Sequence, residues 1–105
     1  MATVTATSRS AGVVNFASGS FTSDNSITVV TLGFTPRWIK VVNTTDVIVW
    51  EKIEGMPAAN SIKTVTAGTT TMDAGSAITI NTDGTISLSA AAVGNAKAIS
   101  WVAQG

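Results

Sequence analysis

The sequence contains no cysteine and no histidine among its 105 residues. Without cysteine, neither a disulfide framework nor a thiolate metal site can form. Without histidine, the chain lacks the commonest general base and the commonest ligand of transition metals. Any catalytic centre would therefore depend on carboxylates or hydroxyl groups, and we expect no cofactor.

Charge is also scarce. Charged residues make up 11% of the chain, and the 6 basic residues balance the 6 acidic ones, whereas an ordinary soluble domain has about 25% charged residues. A chain without an excess of positive charge lacks the electrostatic footprint needed to bind a phosphate backbone, so we expect no nucleic-acid partner. A neutral and weakly charged surface favours association, which indicates an assembled protein.

Long apolar runs are missing as well. No stretch approaches the roughly 20 apolar residues of a membrane-spanning helix, and the first residues do not follow the pattern of a secretion signal. We therefore expect no membrane partner.

The residues that are abundant are Thr, Ser, Val and Ile, which favour strands over helices. Short β-rich runs alternate with clusters of Gly, Asn, Asp and Ser, and this pattern predicts an all-β, single-domain antiparallel sandwich, jelly-roll-like. We assign residues 26–105 to the sandwich and residues 1–25 to an extended N-terminal arm or edge segment. The large anchors in that segment are Phe16 and Phe21. Residues 90–96 are predicted to form one helical turn.

The segment AITINTDGTISLS predicts a hairpin with a three-residue loop at 82–84. This loop places Ile80 opposite Ile86 and Ile78 opposite Leu88, so that the apolar side chains share one face. A loop of this type closes with a G1 bulge and requires its glycine in the left-handed region.

A second hairpin is predicted in RWIKVVNTTDVIVWEK. A turn at 43–46 would pair Val42 with Val47 and Trp38 with Glu51. The face of this hairpin that is plainly core carries Ile39, Val41, Ile48 and Trp50.

The opposite face of that hairpin is too apolar for a solvated sheet face, which should alternate to polar residues. This opposite face is therefore expected to be buried, either by a second sheet of the same domain or by a neighbouring subunit. The candidate residues of a subunit or capsid interface are Trp38, Val42, Val47, Val49, Phe16 and Phe21.

Catalytic and metal sites find little support among the carboxylates. Glu51 and Glu54 are the obvious pair for glycoside hydrolysis, but a separation of three residues places them on opposite faces of a strand. Asp73 and Asp83 fall in predicted turns, where Asp is favoured for local backbone hydrogen bonding. We therefore predict no enzyme activity and no metal site.

The three tryptophans offer a possible sugar-binding platform if several of them are exposed. Trp50 and Trp101 alternate with Ile on apolar faces, which indicates core positions. Trp38 has a polar-rimmed setting that suits an interface anchor as well as a half-buried core residue.

The segments GFTPRWIKVVNTTDVIVWEKIEGM and SIKTVTAGTTTMDAGSAITINTDGTISLSAAAVGNAKAISWVA resemble small virion structural proteins of tailed bacteriophages. The resemblance runs from about Gly33 to Ala103. It is carried by a Gly-Phe-x-Pro-Arg strand opening, an Asn-x-Thr-Asp turn, a Glu-Gly-Met strand end and a Lys-Thr-Val-x-Ala-Gly-Thr strand and turn. Where the family often follows the Asp of that turn with an Arg, this chain has Val47.

This resemblance implies a capsid decoration (cement) protein, made in the host bacterial cytoplasm and located on the capsid surface of the virion. Its partner would be the major capsid protein, and decoration proteins of this size are commonly homotrimers. The resemblance equally allows a tail or head-fibre component, and that alternative carries a host-glycan-binding role. Neither implies enzymatic activity.

Overall fold

A computed structural model describes residues 15–105 of the chain, which form nine strands and one short helix. In chain order the elements are β1 (Phe16–Asp24), β2 (Thr28–Thr31), β3 (Trp38–Asn43), β4 (Ile48–Ile53), β5 (Ser61–Thr64), β6 (Thr70–Asp73), β7 (Ile78–Ile80), β8 (Thr85–Leu88), α1 (Ala90–Val93) and β9 (Asn95–Gln104).

The strands make two antiparallel sheets, which confirms the predicted all-β sandwich. The larger sheet has six strands in the order β1-β9-β3-β4-β5-β6, and the smaller has three in the order β2-β8-β7. The longest strand, β9, lies between β1 and β3 and is therefore an interior strand of the larger sheet.

The core lies between the two sheets, and both contribute fully buried aliphatic side chains to it. The larger sheet supplies one row from β3, β4 and β9, and the smaller sheet supplies a second row from β7 and β8. The buried apolar residues are Ile39, Val41, Trp50, Ala77, Ile78, Ile86, Leu88, Val93, Ile99 and Ala103. Removing this surface from water is the main force that holds the sheets together.

The hairpin of β7 and β8 has the predicted register. Ile80 pairs with Ile86 and Ile78 with Leu88. Gly84 has a φ of 82°, a conformation in which a Cβ would be strained. The rule that apolar side chains share one face was sufficient to fix this register.

The predicted register of the hairpin of β3 and β4 is wrong by two residues. Trp38 pairs with Ile53 rather than Glu51, and Val42 pairs with Val49 rather than Val47. A shift of two residues leaves every side chain on its predicted face, because strand side chains alternate with a period of two. The division into a core face and an opposite face was therefore correct.

The chemistry of the turn explains the shift. Asn43 is the last residue of β3, and its buried side-chain oxygen accepts hydrogen bonds from the N–H groups of Thr45 and Asp46 at 3.1 and 2.9 Å. Val47 then adopts a left-handed φ of 56° before β4 begins. Because the Asn43 side chain bonds the backbone of the turn, Asn43 itself remains in the strand, and the turn comprises residues 44–47 rather than the predicted 43–46.

Part of the segment predicted as an arm or edge segment is a regular edge strand. Phe16–Asp24 forms β1, which pairs with β9 along its length and shows a register shift only between Thr22 and Asp24. These residues therefore belong to the larger sheet of the sandwich. The rest of the predicted arm, residues 1–14, lies outside the described residues.

The predicted helical turn is confirmed as α1. The hydroxyl of Ser89 accepts a hydrogen bond from the N–H of Ala92 and caps its first turn. Val93 is buried in the core, so this short helix packs against it.

Candidate docking surface

The six-stranded sheet has two faces of different character. On the inner face, Ile39, Val41 and Trp50 pack against the three-stranded sheet. The alternate residues of the same strands point the other way, and we call this surface the outer face. Among the described residues no strand or helix lies over it, since the second sheet and α1 both pack on the inner face. The residues that define the middle of the outer face are Trp38, Lys40, Val42, Val49, Glu51 and Val102.

The centre of the outer face is apolar. Val42 is paired with Val49 across β3 and β4, and it lies one strand away from Val102 of β9. All three side chains are half-buried by their neighbours in the sheet. Between β3 and β9 there is a shallow depression of about 170 Å³, lined by Lys40, Val42, Ser100, Trp101 and Val102. A partner side chain could bury apolar surface here without first displacing any part of the domain.

A polar group borders this apolar centre. The indole Nε1–H of Trp38 donates a hydrogen bond of 2.9 Å to a carboxylate oxygen of Glu51. Lys40 is the direct cross-strand partner of Glu51. Trp38 is half-buried, so its ring adds to the apolar surface while its N–H is satisfied. This combination of an aromatic side chain with a polar rim is typical of interface anchors.

Two of the residues predicted for the interface lie elsewhere. Val47 is in the turn between β3 and β4 and is 58% exposed, because the true turn begins one residue later than predicted. Phe21 is on the inner face, where it packs against the core cluster and pairs with Ile99. Both placements follow from backbone features, the turn and the strand β1, that the sequence did not reveal.

Three apolar residues of the outer face were not among the predicted interface residues. Ile53 and Met72 are 47% and 57% exposed. Ile62 is half-buried and lies opposite Met72 on the neighbouring strand. The alternation of β4 and β5 contained the signal for Ile53 and Ile62. Phe16, which was predicted, is on the outer face at the edge of the sheet and is 61% exposed.

The sequence allowed either a second sheet of the same domain or a neighbouring subunit to bury the outer face. For the described residues, the structure excludes the second sheet. The domain's own second sheet lies on the inner face, so it cannot cover Trp38, Val42 and Val49. A cover for the outer face would therefore come from outside residues 15–105.

The structure does not bring Glu51 and Glu54 together in one site. Glu51 is on the outer face and accepts the hydrogen bond from Trp38. Glu54 is exposed in the turn after β4, where it lines a cavity of about 330 Å³ with Lys52, Gly55 and Met56, among others. Glu51 does not line that cavity, so the two carboxylates cannot flank one glycosidic bond there.

Lys52 is a buried cation that the sequence did not single out. It lies on the inner face at the end of β4 and is 4% exposed. Its ammonium donates to the carbonyl oxygens of Pro57, Ala58 and Asn60 at 3.0, 3.1 and 2.7 Å. Burial lowers the pKa of Lys52, since a desolvated ammonium is disfavoured. All three ammonium donors have partners, so the group holds the loop after β4 in place and is not available as a general base.

The aspartates in turns behave as local structural groups. A carboxylate oxygen of Asp73 accepts a hydrogen bond from the N–H of Gly75 at 3.0 Å. The hydroxyl of Thr85 donates to Asp83, and this hydrogen bond lowers the pKa of the Asp83 carboxyl. Within residues 15–105 no three acidic side chains are grouped so that they could hold a metal ion.

The tryptophans do not form a common platform. Trp50 is 3% exposed, and the ammonium of Lys63 lies 5.6 Å from the centre of its ring. Trp101 is half-buried against the core, and its ring lies so close to Gly19 that a Cβ there would come within 2.9 Å of it. Trp38 is on the opposite face of the sheet from both, so the predicted core positions of Trp50 and Trp101 agree with the structure.

Comparison of the chain with protein-family models, with curated proteins and with solved structures gives no match. In the described part of the chain, no helix has the length and apolar character needed to cross a membrane.

Proposed function

We propose that this chain is a non-enzymatic structural protein of a tailed-bacteriophage virion, namely a decoration protein that binds the outer surface of the major capsid lattice and stabilises it. The proposal combines the sequence resemblance described above with one structural observation. That observation is the outer face, a broad sheet surface with an apolar centre that no described part of the domain covers.

The outer face suits a protein that binds to an existing lattice. Val42, Val49 and Val102 offer apolar surface whose burial favours association, while Lys40 and Glu51 give a polar border that orients the contact. A flat contact of this kind is modest by itself. It becomes effective when one assembly engages several capsid subunits at once, because the contacts then add through multivalency.

The other features of the chain give catalysis no support. Histidine and cysteine are absent, and Glu51 and Glu54 do not line one cavity. The alternative of a glycan-binding tail or head-fibre component has less support than decoration, since Trp38 alone of the three tryptophans is on the outer face and its N–H is already bonded to Glu51.

The copy number of this chain in purified virions tests the proposal. A decoration protein should be present in amounts comparable to the major capsid protein, which quantitative mass spectrometry of the virion would measure. A number of copies that matches a single vertex or tail would overturn decoration. Binding to a glycan array that is lost in Trp38→Ala would favour the glycan-binding alternative.

Occupancy of virions that carry variants of the chain tests the docking surface itself. Val42→Lys places a charge in the apolar centre of the outer face and should reduce occupancy at least about tenfold, since an unpaired charge in a contact costs more than 1.4 kcal/mol. Val29→Lys is the matched control. Val29 is 59% exposed on the smaller sheet, so this variant should bind normally. Equal occupancy for the two variants would contradict docking through the outer face.

A further inference from the structure

The four sheet edges of the described domain differ in length. Three of them are short, since β2 and β6 have 4 residues each and β7 has 3. The fourth edge is β1, with 9 residues. Short edge strands are one of the ways in which proteins prevent pairing with other chains. Only β1, among the described edges, is long enough to accept a further strand over several residues.

The pairing with β9 shows which backbone groups of β1 point to its other side, which pairs with no strand of residues 15–105 and which we call the free edge. The N–H of Gly105 donates to the carbonyl of Asn15 at 2.9 Å, so these opposed residues form a hydrogen-bonded pair. Such pairs alternate with non-bonded ones in an antiparallel ladder. In the regular register of β1 and β9, the N–H and C=O groups that point away from β9 therefore belong to Phe16, Ser18, Ser20 and Thr22.

β1 also lacks the residues that usually protect an edge. It contains no Lys, Arg or Pro, and its one charged residue is Asp24 at its end. The register shift lies between Thr22 and Asp24, so the ladder is regular from Phe16 to Thr22. Phe16 is 61% exposed beside this edge. An uncharged, regular and long edge strand is a template for another strand.

We propose that β1 pairs antiparallel with β1 of a second copy of this chain, about a two-fold axis at Gly19. This register places Phe16 opposite Thr22 of the second copy and Ser18 opposite Ser20 of the second copy. Every outward N–H and C=O group of the strand then gains a partner, with two hydrogen bonds for each facing pair. Other registers leave some of these groups unpaired.

Side-chain sizes and charges agree with this register. On the outer face the large Phe16 lies beside the smaller Thr22 of the second copy. On the inner face Phe21 lies beside Ala17 of the second copy, and the two Gly19 residues meet where the Trp101 rings need space. No charged side chains oppose each other between Phe16 and Thr22. The contact is self-complementary and closes after two copies.

The pairing does not depend on the proposed virion function. It would join the two six-stranded sheets into one continuous sheet and place both outer faces side by side, which doubles the surface offered to a partner. It also predicts a dimer, whereas the resemblance to decoration proteins implies a trimer.

The test compares two proline variants by sedimentation equilibrium across the micromolar range. Ser20→Pro removes an N–H that faces the free edge and leaves the bonds to β9 intact. The matched control is Val29→Pro in β2. The N–H of Leu32 donates to Gly84, so by the same alternation the N–H of Val29 also faces outward. We expect wild type and Val29→Pro at twice the 10.7 kDa chain mass, and Ser20→Pro at the single chain mass.

A second variant keeps the proposal testable if Ser20→Pro does not fold. The double substitution Ser18→Lys and Ser20→Lys changes two exposed side chains and brings ammonium groups face to face across the axis. We expect its dissociation constant to rise at least about tenfold, with an unchanged circular dichroism spectrum. A monomeric wild type, a mass of three chains, or a folded variant with undiminished dimerisation would each overturn the proposed pairing.

Discussion

The two faces of the six-stranded sheet are built from alternate residues of the same strands, yet their side chains are buried to different degrees. Val41 of the inner face is 2% exposed and lies beneath the smaller sheet. Val42, the next residue, has the same side chain but faces outward and is only half-buried. Within residues 15–105 the inner face is covered by the smaller sheet, whereas no strand or helix covers the outer face.

Because of this difference in burial, the inner face mainly stabilises the fold, whereas the outer face is suited to association. A buried position on the inner face contributes to the free energy of unfolding through burial and packing. A half-buried position on the outer face contributes little to folding and retains its apolar area for a second molecule. Val41 and Val42, and likewise Lys52 and Lys40, are pairs with one member on each face, whereas Trp38 and Glu51 both lie on the outer face.

The largest effect is expected for Val41→Ala, compared with Val42→Ala. The first substitution leaves a cavity in a closed core and should lower the free energy of unfolding by about 2–3 kcal/mol. The second should lower it by less than about 1 kcal/mol, because the side chain is already partly in water. Urea denaturation of both variants measures the difference, and equal losses would mean that the outer face is also a folding core.

An intermediate effect is expected for Lys52→Met, compared with Lys40→Met. The ammonium of Lys52 binds three loop carbonyls, so its removal should lower the free energy of unfolding by about 1–2 kcal/mol. Lys40 is on the outer face, and its substitution should change that free energy by no more than about 0.5 kcal/mol. Thermal and urea unfolding provide the values. A larger loss for Lys40→Met would contradict the assignment of the structural cation to the inner face.

The smallest effect concerns the hydrogen bond between Trp38 and Glu51. A double-mutant cycle with Trp38→Phe and Glu51→Leu should give a coupling free energy of about 0.5–1 kcal/mol, since a partly exposed bond to a charged acceptor is worth little net. A coupling near zero would show that this bond does not fix the position of the indole ring.

The sequence predicted the fold class, the core face of each hairpin and the β7–β8 register, because these depend on the alternation of apolar and polar residues. It did not predict the register of β3 and β4. Two registers that differ by two residues give the same apolar pattern, so the pattern cannot distinguish them. The hydrogen bonds between Asn43 and the turn backbone select the observed register.

The strand β1 was not predicted for a different reason. Its composition of Ser, Gly and Thr with two Phe has no clear alternation, and β9 supplies the pairing that makes it a strand. The candidate docking surface was recognised only in part, because pairing between strands that are distant in sequence also contributes to it. Val42, Val49 and Trp38 were evident from their own hairpin, whereas Val102 joins them through the pairing of β9 with β3, strands distant in sequence.

The turn between β3 and β4 also determines which mispaired form of this hairpin has to be avoided. A slip of two residues in the pairing leaves every side chain on its face, so the apolar core does not discriminate against it. A slip of one residue in β4 would turn Glu51 toward the core and Trp50 and Lys52 away from it, so the core itself opposes that error. The hydrogen bonds that Asn43 accepts from the turn backbone therefore select between two registers that bury the same side chains.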